Sequence, residues 1–63
     1  IGMTPKEYII KLRIETACKL LTDSNASVSG AATLVGYQDA YYFSRIFKKK
    51  TGVSPKQYKN TKH

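Results

Sequence analysis

Acidic residues are scarce in this chain: Asp and Glu together number 4, against 11 Lys and Arg, for a formal net charge of +7 over 63 residues. No paired carboxylates, no Ser/His/Asp set and no metal-spaced cluster of His, Cys, Asp or Glu can be assembled from so few acids. Acid–base, nucleophilic and metal-dependent catalysis therefore lack candidate residues, and neither an enzyme, a metal nor a cofactor is expected. The single histidine, His63, stands at the end of the chain with nothing beside it to make it a ligand or a base. One cysteine, Cys18, cannot form an internal disulfide, a usage that suits a reducing cytoplasm. It reads as a small apolar residue near a helix surface. No apolar run approaches the ~20 residues of a membrane-spanning helix, and the N-terminal stretch has no signal-peptide pattern. What is abundant is positive charge, which calls for an anionic partner: nucleic acid, a membrane surface or an acidic protein.

A chain of this length buries only about 60% of its unfolded surface, so one small domain with a marginal core is expected. It opens on Ile1 rather than methionine, and a piece of a longer protein is expected.

The periodicity is helical throughout. Thr4-Pro5-Lys6-Glu7 forms a capping box with proline at the first helical position. Tyr8, Ile9, Leu12, Ala17, Leu20 and Leu21 then recur at helical intervals, predicting one buried stripe on a helix over about 5–22. Thr22-Asp23-Ser24-Asn25 ends it. Ser27 caps a second helix with Val28, Ala31, Ala32 and Val35 facing inward, and Gly36 supplies the left-handed turn at its end. Gly30, inside that helix, costs about 1 kcal/mol relative to alanine, and close approach of a neighbouring helix is the expected return. Asp39 caps a third helix, about 40–51, stopped by Gly52. Ser54-Pro55-Lys56-Gln57 opens a short fourth one before a polar tail. Two helices joined by a short glycine-containing turn make a helix-turn-helix.

One phrase occurs twice. Gly2-Met3-Thr4-Pro5-Lys6-Glu7-Tyr8 returns as Gly52-Val53-Ser54-Pro55-Lys56-Gln57-Tyr58. The second copy closes a helix-turn-helix, so the first is expected to close an equivalent unit upstream, absent from this chain.

On the third helix, Phe43, Ile46, Phe47 and the stem of Lys50 share a core-facing arc. Tyr41, Ser44, Arg45 and Lys48 share the opposite one, with Ala40 at its N-terminal end and Tyr42 and Lys49 on the flank. That outer arc suits a DNA major groove: arginine can pair with guanine O6 and N7, hydroxyls reach base edges, and alanine touches a thymine methyl. The candidate base-reading residues are Ala40, Tyr41, Ser44 and Arg45, in the half of such a helix that points at base edges. Tyr42, Lys48, Lys49 and Lys50 are the candidate phosphate contacts, which give salt-dependent affinity. Tyr37, Tyr42 and Phe43 fit a core better than a base-stacking platform. Arg13 fits either a phosphate contact or an ion pair with Glu15 or Asp39.

Gly36-Tyr37-Gln38-Asp39, Tyr42-Phe43-Ser44-Arg45-Ile46-Phe47-Lys48-Lys49 and Gly52-Val53-Ser54-Pro55 with Tyr58 together resemble the signature of the AraC/XylS family of transcription regulators. The stretch Tyr8-Ile9, Arg13-Ile14-Glu15, Ala17 and Leu20-Leu21 resembles the long helix between that family's two helix-turn-helices. Gly30 and Ala31 depart from it, standing where the family more often has an acidic residue and a larger aliphatic one.

The resemblance implies an all-α, homeodomain-like fold: a linker helix over 1–24, then a second helix-turn-helix unit with a C-terminal helix over 25–63. It implies a cytoplasmic bacterial regulator binding promoter or operator double-stranded DNA, with an effector or dimerisation domain elsewhere in the parent protein. The alternative is a basic interaction module meeting an acidic partner such as RNA polymerase.

Overall fold

The computed structural model describes residues 2–60; Ile1 and positions 61–63, His63 among them, lie outside the described residues. Four helices follow one another: α1 Pro5–Thr22, α2 Val28–Leu34, α3 Ala40–Thr51 and α4 Pro55–Asn60. Each start is fixed by side-chain caps that take up backbone N–H groups left without helical partners. In α1 the Glu7 N–H donates to Thr4 Oγ1 at 3.1 Å and the Thr4 N–H donates to Glu7 Oε1 at 2.9 Å, closing the capping box. In α4 the Gln57 N–H donates to Ser54 Oγ at 3.1 Å and the Ser54 N–H to Gln57 Oε1 at 3.2 Å. The repeated phrase is thus a repeated structure, down to a left-handed glycine ahead of each box, Gly2 at φ +73° and Gly52 at φ +89°.

The core brings Ile14, Ala17 and Leu21 of α1 against Ala31, Ala32 and Val35 around α2, and against Tyr37, Phe43 and Phe47. Alanines at the helix contacts let the backbones approach, while Phe43, Phe47 and Leu21 supply the fully buried bulk. An aromatic row runs from the surface into it. Ring centroids lie 6.0 Å apart for Tyr42–Tyr37, 5.7 Å for Tyr37–Phe43, 5.7 Å for Phe43–Phe47 and 5.5 Å for Phe47–Tyr58. At the far end the Lys59 ammonium donates to the Ala26 carbonyl at 2.8 Å, tying α4 to the α1–α2 connection.

Three expectations are corrected. The buried stripe of α1 is Ile14, Ala17 and Leu21, with Ile10, Cys18 and Leu20 beside it, whereas Tyr8, Ile9 and Leu12 are exposed. An 18-residue helix has room for two apolar stripes, and its periodicity does not say which one this core uses. Gly30 admits no neighbouring helix: a Cβ there would meet only the Ser27 hydroxyl, at 3.0 Å. That hydroxyl is the α2 cap itself, accepting from the Gly30 N–H at 2.9 Å. Lys50 is exposed, so its stem does not join the core arc.

Candidate nucleic-acid interface

The turn between α2 and α3 sets how α3 is presented. Gly36, at φ +103°, directs the chain out of α2, and Tyr37 folds back so that its N–H donates to the Ala32 carbonyl at 2.8 Å. An L side chain at 36 would be strained by that φ and would also press on the Arg13 guanidinium, 3.3 Å from the Cβ position. The same guanidinium lies over the Tyr37 ring, 5.1 Å from its centroid. Arg13 therefore stacks, and it forms no ion pair with Glu15 or Asp39. Glu15 pairs instead with Lys11, at 2.8 Å, and Asp39 serves α3 as its cap.

Asp39 Oδ1 accepts from the Tyr41 N–H at 2.9 Å and the Tyr42 N–H at 3.4 Å, ordering the first turn of α3. At the other end the Gly52 N–H donates to the Lys48 carbonyl at 2.8 Å. Lys48, Lys49 and Lys50 occupy the last turn, where the helix dipole favours cations.

With Phe43 and Phe47 locked inward, the outward residues of α3 are determined. Tyr41 is 71% exposed and Tyr42 52%; Arg45, Lys48, Lys49 and Lys50 are exposed, and Ala40 and Ser44 half-buried. Tyr42 does not join the core with Tyr37 and Phe43, as its place in the sequence suggests; its ring stays exposed, tilted against that of Tyr37. Ala40, Tyr41, Ser44 and Arg45 thus lie over the first half of α3, and the lysines follow over the second. The surface is a row of donors along a capped helix. It can enter a groove and form hydrogen bonds.

Sequence reading missed the Arg13–Tyr37 stack, although an arginine one helix away from a Gly-Tyr turn is a signal that could have suggested it. Among the described residues no helix is long and apolar enough to cross a membrane.

Comparison with known proteins agrees with this geometry. A family model described as a helix-turn-helix domain matches residues 1–61. The MmsAB operon regulatory protein of Pseudomonas aeruginosa is 48% identical over 92% of this chain and 19% of its own length. The raffinose operon transcriptional regulatory protein RafR of Pediococcus pentosaceus is 41% identical over 92% of this chain and 21% of its own. Among solved structures, the C-terminal domain of AraT, a response regulator from Geobacillus stearothermophilus, superposes with a TM-score of 0.92. It is 39% identical and aligns over 97% of this chain and 50% of that one. The chain thus spans about a fifth of the length of these two relatives. It belongs to the AraC-type helix-turn-helix family of bacterial transcription regulators.

Proposed function

We propose that this chain is a sequence-specific, double-stranded-DNA-binding unit of a transcription regulator, with α3 inserted in the major groove. The observation that carries the reading is the sorting of α3: Phe43 and Phe47 are wholly buried while Tyr41, Arg45 and the lysines project from the other side. Arg45 pairs with a guanine edge, Tyr41 and Ser44 reach neighbouring base edges, and Ala40 packs against a thymine methyl. Lys48, Lys49 and Lys50, with Tyr42, hold phosphates and supply affinity without sequence information. Binding of DNA, with no catalysis, is the whole activity assigned to this unit.

We further propose that this unit is one of a tandem pair, α1 being the linker. The paired capping boxes support it, as does the contrast between Tyr58, packed on Phe47, and Tyr8, its counterpart in the first phrase, which is 53% exposed. With Leu12, Tyr8 gives α1 a second apolar stripe suited to an upstream unit.

Selection of duplexes from a random pool by the full-length regulator tests both statements. Enrichment of two elements about one helical turn apart is expected for tandem recognition helices on one face of the duplex. Enrichment of one short element contradicts the pair, and no enrichment contradicts sequence-specific binding.

A further inference from the structure

Beside the α2–α3 turn, on the flank of α3 that faces α1, a cleft of about 490 Å³ opens between Lys6, Ile9, Ile10, Arg13, Tyr37 and Tyr42. Its lining includes one lysine, one arginine and two tyrosines, and no carboxylate. The acids closest in sequence are engaged elsewhere: Glu7 in the α1 capping box, Asp39 at the α3 N-terminus and Glu15 with Lys11.

We infer that this cleft is a second backbone-binding site, taking a phosphodiester of duplex DNA through Arg13, Lys6 and the Tyr42 hydroxyl. The inference rests on the DNA-binding reading above and adds α1 to the surface that meets the duplex. Arg13 is preorganised for the task. One face of its guanidinium is held by Tyr37, and on another side a Cβ built at Gly36 would lie 3.3 Å from it. Its planar fork keeps its N–H donors for an anion, and the rotamer entropy of binding is reduced because the stack already orders it. Charge complementarity favours a phosphate: a lysine, an arginine and two tyrosines line the cleft beside two isoleucines, with no acid among them. The position favours a duplex backbone, because Tyr42 lies in the first turn of α3 and the lysine run in its last. Phosphates would then be gripped at both ends of the helix that enters the groove.

The experiment measures binding of the full-length regulator to a random-sequence duplex over a salt series, comparing Arg13→Met, Arg13→Lys and Lys6→Met with the unmodified protein. Arg13→Met keeps the packing of the stem, and Lys6→Met alters an exposed residue, so folding is preserved in at least one variant. Each Met variant is expected to bind about tenfold more weakly at low salt and to flatten the slope of log K against log[salt] by about 0.9. Arg13→Lys restores the slope while recovering only part of the affinity. Unchanged slopes in both Met variants, with duplex binding otherwise intact, overturn the site while leaving the DNA reading standing. Weakened binding to polyglutamate at an unchanged DNA slope overturns it in favour of an acidic protein partner. Failure of the unmodified protein to bind any duplex removes the reading on which the site rests, and the site with it.

Discussion

Tyr58 of α4 stands edge-on to Phe47 of α3, ring centroids 5.5 Å apart and planes at 72°. This contact joins the helix that carries the candidate base-reading residues to the short helix that closes the domain. Phe47 is wholly buried and also meets Phe43, so it is the hinge pin of the aromatic row.

Phe47→Ala is accordingly expected to cost about 3–5 kcal/mol, a transfer loss plus an unfilled cavity. A domain of this size holds only about 3–5 kcal/mol in its core, so the variant should be largely unfolded at room temperature. Far-ultraviolet circular dichroism with urea titration checks this.

Tyr58 also has a pH signature. Its hydrogen bond and electrostatic interaction with the Cys18 sulfur, with a little burial, raise its pKa above the usual tyrosine value of 10.0. A group whose folded pKa is raised contributes stability that is complete below the unfolded value and lost as pH rises through the folded one. Ultraviolet difference titration should therefore show a tyrosine component above pH 10 that is missing in Tyr58→Phe. The gap in stability between the two proteins should narrow as pH climbs through that range. A Tyr58→Phe titration curve that keeps the late component contradicts the assignment.

Gly30 leads to a gain-of-stability test. It occupies the third helical position after the Ser27 cap, so Gly30→Glu would write a capping box into α2 and remove about 1 kcal/mol of glycine cost. The new Cβ would ask the Ser27 hydroxyl, 3.0 Å away, to yield by a few tenths of an ångström. A higher melting temperature is expected. A lower one would show that the existing Ser27–Gly30 cap cannot move.

How much of this was readable from residues alone follows from what sets each feature. Helix ends were legible because caps are local: Thr4, Ser27, Asp39 and Ser54 each bind N–H groups two or three positions on. The inward arc of α3 was legible because Phe43 and Phe47 leave one way for an amphipathic helix to face. The buried stripe of α1 was not, because Tyr8, Ile9 and Leu12 are as apolar as Ile14 and Ala17, and only tertiary packing chooses between them. The partner of Arg13 was hidden for a related reason: Glu15, close in sequence, competes on paper with Tyr37, which only the α2–α3 turn brings near.

The division of labour along α3 is the central claim, and competition binding of Arg45→Ala and Lys49→Ala regulators to the selected duplex and a scrambled one tests it most directly. Arg45→Ala should lose about 1–3 kcal/mol on the selected duplex alone and relax preference at one base pair. Lys49→Ala should weaken both duplexes equally and flatten the salt slope by about one. An Arg45→Ala protein that discriminates the two duplexes as well as the unmodified one would contradict base reading by α3.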